Sequence, residues 1–354
     1  MHLSRMTTVL CTLYNSLYLD KGLVLYDSLC KCAKDFKLYV LCMDEKCYDI
    51  LVGMNQQHHI PIRLSDFEYG DDELLKAKEN RPIGEYCWTC SSSLIRFVIS
   101  HYNEPVCTYI DADMYFYHDP QVLVDEMIQA GKSVMVTPHR FPKEDEKQAD
   151  TVGTYCVEFN TFLNNNEGLE VLDYWRNRCL ECCSNIGDGI HWGDQKYLEE
   201  LVDKYDCVHV CENRGAGVAL WNIKLYATGD LNEGMMIKDK ERDCNIPLIF
   251  YHYQNVTYIT PTIVNTSIEK ERLDVDYALV YELYDAYLKR IAEKKEYLLA
   301  NHQIDDYITV HPTAKGPAES IIKKVIKRTL LYKLLWRQYI FQKYMYYLID
   351  LKKS

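Results

Sequence analysis

The first hundred residues alternate short apolar, β-prone runs with segments of helical periodicity. Apolar runs at 7–12, 37–42 and 60–64 predict strands, and the amphipathic segments at 21–33 and 44–54 predict helices. This alternation is typical of βαβ units, which build an open α/β sheet of mostly parallel strands with helices on both faces. Because ligands bind beyond the carboxyl ends of such strands, we expect functional side chains to follow strands directly.

The pattern continues through the middle of the chain and then changes. A helix is predicted at 91–101, after a charged stretch at 71–81, and a second helix at 168–183; strands are predicted at 106–110, 133–137 and 155–163. After 248–253 the alternation fades, and residues 268–301 become helical and charged. We therefore predict an α/β domain over 1–262, a helical extension over 263–319 and a separate C-terminal helix over 320–354.

Composition and charge narrow the class of ligand. The chain has 354 residues, 48% of them hydrophobic, and a formal net charge of -12. An acidic protein of this kind does not bind nucleic acid as a whole, because phosphate neutralisation needs a basic surface. Any anionic ligand must therefore meet local positive charge or a bound metal.

The compartment is predicted from the first residues and from the cysteines. The start, MHLSRMTTVLCTLY, lacks the features of a secretory signal, and no apolar run is long enough to span a bilayer as a helix. We therefore expect a cytoplasmic protein, whose fifteen cysteines are reduced rather than paired in disulfides.

The most informative segment is an apolar strand that ends in two carboxylates. The predicted strand at 106–110 runs directly into Asp111-Ala112-Asp113. Carboxylates together with substrate phosphates are the ligands that Mg²⁺ and Mn²⁺ prefer. A second Asp-x-Asp, at Asp274 and Asp276, enters a helix, where acidic residues stabilise the amino terminus, and we interpret that pair as structural.

An ordered set of motifs resembles the GT-A fold of nucleotide-sugar-dependent glycosyltransferases, in particular the glycogenin and lipopolysaccharide galactosyltransferase type. The resemblance covers roughly residues 6–255. It rests on the TYIDADMYFY run at 108–117, Arg96 on the preceding helix, the Gly193-Asp194-Gln195 segment and His252 in IFYHYQ. More narrowly, the motifs EYCWT, TPHRF, YCVEF, GDQKYL and GAGVALWN resemble bacterial glycosyltransferases of envelope-polysaccharide gene clusters.

The resemblance implies a set of site residues. It assigns Asp111, Asp113 and His252 to a Mn²⁺ or Mg²⁺ ion, and Asp194 and Gln195 to the sugar pocket. The candidates for binding the nucleotide-sugar donor are Thr12 and Tyr14 at the end of the first strand, Arg96 on the helix and Asp111 of the Asp-x-Asp. Glu158 is a further candidate carboxylate of the sugar pocket.

Several of these residues have a second interpretation. A lone histidine in an apolar strand, such as His252, is more often a hydrogen-bonded core residue than a ligand. Asp194 also suits the cap of a helix at 195–202, and Glu158 suits the solvent-facing edge of a strand. His139 and Arg140 either contact phosphate or lie in a solvated loop.

Two departures from the resemblance concern stereochemistry. The retaining relatives carry an Asn-x-Gly-Val strand, where this chain has Cys156 and Glu158 in place of Asn and Gly. Their lysine-containing phosphate loop after the late histidine is also missing. Retention of anomeric configuration is implied by the resemblance, with inversion as the alternative.

In the C-terminal segment, closely spaced basic residues alternate with apolar ones. The basic residues are Lys323, Lys324, Lys327, Arg328, Lys333, Arg337 and Lys343. On an acidic protein, this pattern predicts an amphipathic helix lying on an anionic membrane surface, or else a helix packed on the domain. The membrane interpretation would make the protein peripheral on the inner face of the plasma membrane.

The sequence therefore predicts transfer of a sugar from a nucleotide-diphosphate donor, a uridine one by resemblance, to a saccharide or lipid-linked acceptor in surface polysaccharide synthesis. A sugar-phosphate nucleotidyltransferase would need a Gly-rich loop near the start, and residues 7–19 contain no glycine. The remaining alternative is a catalytically degenerate domain of the same fold that binds nucleotide-sugar or glycan and tethers partners at a membrane.

Overall fold

The computed structural model describes residues 7–184, 191–230, 234–260, 263–268, 275–304 and 346–348. Within them the strands are β1 (Thr8–Tyr14), β2 (Phe36–Cys42), β3 (His59–Arg63), β4 (Val106–Ile110), β5 (Met114–Phe116), β6 (Val134–Pro138), β7 (Tyr155–Leu163), β8 (Val208–Val210), β9 (Val218–Ala219), β10 (Tyr226–Thr228), β11 (Met236–Asp239), β12 (Cys244–Pro247), β13 (Phe250–His252), β14 (Thr257–Thr260), β15 (Ile263–Asn265) and β16 (Tyr346–Leu348). The helices are α1 (Leu19–Cys32), α2 (Glu45–Met54), α3 (Leu64–Glu68), α4 (Asp72–Asn80), α5 (Ile83–His101), α6 (Gln121–Gln129), α7 (Ala149–Val152), α8 (Asn166–Glu181), α9 (Leu198–Lys204) and α10 (Tyr277–His302).

The central sheet has the strand order β3-β2-β1-β4-β7-β6-β8. The first four of these strands are parallel, whereas β7 runs antiparallel to both β4 and β6. Helix α5 packs against β1 and β4, and α6 packs against β6. The predicted α/β class, with a mostly parallel central sheet, helices packed on it and a helix towards the C-terminus, is confirmed.

A smaller sheet, β5-β13-β9, joins the central one at the end of β4. Strand β13 lies between the other two, antiparallel to β5 and parallel to β9. The apolar side chains of this sheet divide between two cores. Phe250 belongs to the core of the central sheet, whereas Tyr251 and Tyr253 belong to a second core beneath α10.

Two boundaries differ from the predictions. Helix α5 begins at Ile83, directly after Pro82, and not at 91, so the EYCWT motif lies on its first turns. The charged stretch at 71–81, for which no helix was predicted, forms α4, and the Asp71 carboxylate accepts a hydrogen bond from the Leu74 amide at 3.1 Å. A side chain that caps the first turn makes a short polar helix stable.

Only a small part of the predicted C-terminal helix falls on residues that the structure describes. Most of the predicted basic helix at 320–354 lies outside the described residues. The three that are described, Tyr346–Leu348, form a strand paired antiparallel with β15, so the helix prediction is wrong for them. Among the described residues, no helix combines the length and the apolar character needed to cross a bilayer.

The second Asp-x-Asp has a structural role at its described residue, Asp276; Asp274 lies outside the described residues. The Asp276 carboxylate accepts hydrogen bonds from the amides of Ala278 and Leu279 at 2.9 and 3.3 Å, and so caps α10. It also accepts one from the Thr228 amide at 2.9 Å, which ties α10 to β10.

We predict that Asp276→Ala lowers the free energy of unfolding by about 1–2 kcal/mol, because three amides lose their acceptor. Urea denaturation followed by circular dichroism measures the change. Asp276→Asn, which keeps an amide oxygen at the cap, should recover most of the loss. An unchanged urea midpoint in Asp276→Ala would contradict the capping role.

Candidate functional site

The Asp111-Ala112-Asp113 turn lies where the order of the central sheet reverses. The chain passes from β1 outward to β2 and β3, and then returns to place β4 on the other side of β1. Strand β4 is buried along its whole length and ends at Ile110, so the turn emerges at the carboxyl edge of the sheet. In open α/β sheets this reversal point is where ligands bind.

His252 reaches the turn from the small sheet. It pairs with Met114 of β5, the residue that follows Asp113, and the Tyr253 amide donates to the Asp113 carbonyl at 2.9 Å. Its Nε2 lies 3.1 Å from Asp113 Oδ1 and 3.5 Å from Asp111 Oδ2. One atom from each of the three side chains lies within 4.8 Å of the others. The structure thus brings together the three side chains that the sequence predicts as metal ligands.

The other imidazole nitrogen faces Glu158. His252 Nδ1 lies 2.9 Å from Glu158 Oε2, and Cys156 completes a second group of ligand-type atoms within 4.8 Å. The Glu158 side chain is 0% exposed. The solvent-facing interpretation of this residue is therefore wrong, because Glu158 is buried. Cys156 and Val157 are the residues of β7 that line the cavity.

These charges act strongly on one another. Burial lowers the pKa of His252, but the adjacent Asp113 carboxylate and the hydrogen bonds more than offset it, so this pKa lies well above its usual value. Burial raises the pKa of Asp113, and the His252 charge and hydrogen bond reverse that effect, leaving it lowered. Burial, together with the neighbouring carboxylates, raises the pKa of Asp111 to about 8. Three carboxylates thus surround one imidazole, an arrangement that a further positive charge would stabilise.

The ligand atoms of Asp111, Asp113 and His252 suit a hard divalent cation. Two carboxylates and one imidazole are ligands that Mn²⁺ accepts, and Mg²⁺ accepts the oxygens. Access is also suitable, since the Asp111 side chain is 31% exposed and Asp113 is 13% exposed, whereas His252 is only 4% exposed. The carboxylates therefore face the open side, and the histidine closes the inner one.

A cavity of about 410 Å³ opens above Asp111 and His252. Several aromatic side chains that the sequence analysis did not single out line it, namely Trp88, Tyr109, Phe141, Trp192 and Trp221. Trp88 is 38% exposed, although Tyr86, Thr89 and Cys90 around it on α5 are buried. That exposure depends on the tertiary fold; the only sequence signal was the place of Trp88 in the EYCWT motif.

Asp194 and Gln195 also line this cavity. Asp194 is not a helix cap, since α9 begins at Leu198; instead its carboxylate accepts a hydrogen bond from Ser91 Oγ at 2.5 Å. Burial raises the pKa of Asp194 to about 7. Gln195 donates from Nε2 to the Val152 carbonyl at 2.6 Å, which leaves its amide oxygen for another partner.

Three predicted donor contacts are not brought to the cavity. Arg96 lies on another face of α5, where it pairs with Asp173 at 2.9 Å and lines a different cavity; its contact with the donor stays a prediction. Tyr14 packs against Gly22 of α1, and its hydroxyl lies 3.3 Å from His59 Nε2. Thr12 is fully buried, and its hydroxyl has no hydrogen-bond partner among the described residues. The sequence pattern predicts the strand and the helix that carry these residues, but not the direction in which their side chains point.

His139 and Arg140 are neighbours in sequence but have different surroundings. His139 lines the cavity, stacks on Phe141, and has its pKa lowered to about 4 by burial, so it is neutral at physiological pH. Arg140 instead donates to the carbonyls of Ala216, Cys211 and Asn213 at 2.6, 2.8 and 3.1 Å. It holds the backbone ahead of β9, and the solvated-loop interpretation is corrected.

Two buried lysines, one of which acts on Asp113, were not predicted. Lys21 of α1 donates to the Val256 carbonyl at 2.6 Å, and its charge acts on Asp113. Lys295 of α10 lies 4.1 Å from the centre of the Tyr258 ring, and burial lowers its pKa to about 8. Both lysines come from helices whose sequence looked like ordinary amphipathic surface.

The fold and the grouped side chains define an α/β protein with a carboxylate- and histidine-lined cavity at the reversal point of its sheet. No protein-family model matches the chain. It is 33% identical to the uncharacterized protein YfnD of Bacillus subtilis (strain 168) over 252 residues, which are 70% of this chain and 78% of YfnD. The chain belongs to the same family as YfnD. It is also 28% identical to the uncharacterized protein YfnF of that strain, over 83% of this chain and 95% of YfnF.

Among solved structures, the chain is similar to two glycosyltransferases. Mouse xyloside xylosyltransferase 1 matches at a TM-score of 0.44 and 13% identity, over 70% of this chain and 98% of the mouse protein. The galactosyltransferase LgtC, in complex with donor and acceptor sugar analogs, matches at a TM-score of 0.42 and 11% identity, over 70% of this chain and 87% of LgtC. Similarities of this size carry no information on activity.

We predict that Asp194→Asn stabilises the protein at pH 8 and has little effect at pH 4. The folded-state pKa of about 7 lies above the usual 3.8, so the folded protein holds an extra proton between these values and loses stability as pH rises. The variant should gain about 1–4 kcal/mol at pH 8, and thermal unfolding in the presence of a chelator measures it.

Asp173→Asn, which makes the same chemical change at a half-exposed carboxylate on α8, serves as the control. If Asp194→Asn and the wild-type protein unfolded at the same temperature at both pH values, the buried and protonated state of Asp194 would be refuted.

Proposed function

We propose that this protein is a metal-dependent glycosyltransferase that transfers a sugar from a nucleotide-diphosphate donor to an acceptor. One observation carries the proposal: the Asp111 and Asp113 carboxylates meet His252, which is far away in sequence, at the reversal point of the sheet beside a cavity of about 410 Å³. The ordered motifs that resemble GT-A glycosyltransferases support the same reaction class.

Asp111, Asp113 and His252 would hold Mn²⁺ or Mg²⁺. Such a cation, when bound, supplies positive charge to the diphosphate leaving group. Lys21 adds positive potential from beneath Asp113, in a chain that lacks the lysine-containing loop of the retaining enzymes it resembles. The negative charge of a nucleoside diphosphate is thus met locally, although the protein as a whole is acidic.

The far side of the cavity suits a sugar. Asp194 and Gln195 present hydrogen-bonding groups, and neutral His139 presents an imidazole edge without adding charge. Trp88 and Trp192 offer flat apolar surfaces next to these polar groups. A pocket that combines a few convergent polar groups with aromatic walls is the usual form of a small-molecule site.

Other parts of the proposal rest on the resemblance. It favours a uridine nucleotide, a saccharide or lipid-linked acceptor, and a place in surface polysaccharide synthesis. It also favours retention of configuration. The full burial of Glu158 supports Asp194 and Gln195 as the candidates at the sugar. Contact of residues 320–354 with an anionic membrane is likewise proposed from their sequence.

We predict that the protein hydrolyses or transfers from at least one uridine-diphosphate sugar in the presence of Mn²⁺, and that a chelator abolishes this turnover. Asp113→Asn should lower the rate by about 100-fold or more, because the variant loses a charged ligand of the cation. A screen of donors, monitored by the nucleoside diphosphate released, measures both effects.

Asp276→Asn is the matched control, since it makes the same chemical change in the other Asp-x-Asp and should leave turnover unchanged. Metal-independent turnover, or full activity in Asp113→Asn, would refute the role of the turn. Tight donor binding without any turnover would instead favour the degenerate, non-catalytic domain.

A further inference from the structure

Glu158 is the most completely buried acid of the described chain that contacts the site. Its side chain is 0% exposed, and one carboxylate oxygen, Oε2, lies 2.9 Å from His252 Nδ1. The other oxygen, Oε1, has no hydrogen-bond partner among the described residues. A carboxylate in this position destabilises the fold unless the imidazole compensates its charge and hydrogen bonding.

The surrounding backbone is shaped to admit this carboxylate. Gly217 adopts a φ of +69°, and a Cβ built there would lie 3.2 Å from Glu158 Oε1 and 3.0 Å from Arg140 Nη1. A larger residue would therefore press on both side chains. Arg140 is itself fixed by three carbonyl acceptors. The position of Glu158 is thus held from β7 and from the segment that leads into β9.

The two nitrogens of the His252 ring therefore have different partners. Nδ1 faces Glu158 on the buried side, and Nε2 faces Asp113 and Asp111 on the side of the cavity. A hydrogen bond donated by Nδ1 to a carboxylate selects the tautomer whose Nε2 carries a lone pair, and it also fixes the plane of the ring.

We propose that Glu158 is a positioning residue that orients the His252 imidazole, through the Nδ1–H hydrogen bond, so that Nε2 binds the metal together with Asp111 and Asp113. The inference rests on the proposed metal site and goes beyond it by assigning the residue behind that site. Glu158 touches neither the donor nor the metal and acts only through His252.

The structure also contains a second group of possible metal ligands that shares His252 with the first. Cys156, Glu158 and His252 Nδ1 form a second group whose ligand atoms lie within 4.8 Å of one another, all three residues being buried. A metal bound there would use Nδ1 and leave Nε2 protonated. The two arrangements therefore predict opposite tautomers of the same ring.

The first experiment uses the unmodified protein. Nitrogen-15 NMR of the histidine side chains, with the signal of His252 assigned by its loss in His252→Gln, should show Nδ1 protonated and Nε2 bound in the Mg²⁺-loaded state. A ring that is protonated on Nε2 and bound through Nδ1 would overturn the proposal in favour of the Cys156 group. This result does not depend on the folding of any Glu158 variant.

The second experiment compares Mn²⁺ affinity by isothermal titration calorimetry, without donor and without turnover. Glu158→Leu should weaken binding by about 10- to 100-fold, because Nδ1–H loses its acceptor. Glu158→Gln, which keeps an oxygen to accept this hydrogen bond, should stay within about threefold of the wild-type protein. Circular dichroism establishes that both variants are folded.

The outcomes distinguish this inference from the proposed function. Equal affinity in the wild-type protein and a folded Glu158→Leu would overturn the positioning role alone. Glu158→Gln as weak as Glu158→Leu would also overturn it, since charge and not hydrogen bonding would then matter. No Mn²⁺ binding by the wild-type protein would refute the metal site itself, and both proposals with it.

Discussion

The site depends on one imidazole held among three carboxylates. His252 contacts Glu158 through one nitrogen and Asp113 through the other, at 2.9 and 3.1 Å. Buried acids are stable only when an opposite charge or a hydrogen-bond donor compensates them, and here a single ring does so for both. The main-chain pairing of β13 with β5 places this ring, because it sets His252 beside the residue that follows Asp113.

Much of the central sheet could be predicted from the sequence. Strands β4 and β7 match their predicted limits, since runs rich in β-branched and aromatic residues and bounded by polar turns are typical of strands. The small sheet was harder to predict, because its strands have only two or three residues and their partners lie far away in sequence. The two candidate carboxylate ligands were found from their place at the end of a buried strand, and His252 was found from a resemblance in motif order; periodicity alone would have left His252 as a core histidine.

The errors at the site share one physical cause. Periodicity shows that a helix is amphipathic, but α5 packs against the sheet and also against α8, so its sequence does not decide which polar residue reaches the cavity. Arg96 was predicted there, while Ser91 and Trp88 are the residues that contact or line it. Glu158 was misjudged for a related reason. A polar residue on a strand was expected at an exposed position, whereas β7 is buried on both faces.

Because side chains of β13 and the adjacent Tyr253 pack into two different cores, the protein can be truncated only at certain places without disturbing the site. Tyr253, next to His252, stacks on Tyr287 of α10 with ring centres 3.6 Å apart, and its hydroxyl donates to the Leu283 carbonyl at 3.0 Å. A fragment that stopped before α10 would expose this tyrosine surface beside the strand that carries His252. The smallest unit able to keep the site intact therefore extends through α10, and an autonomous catalytic fragment would need that helix as part of its own core.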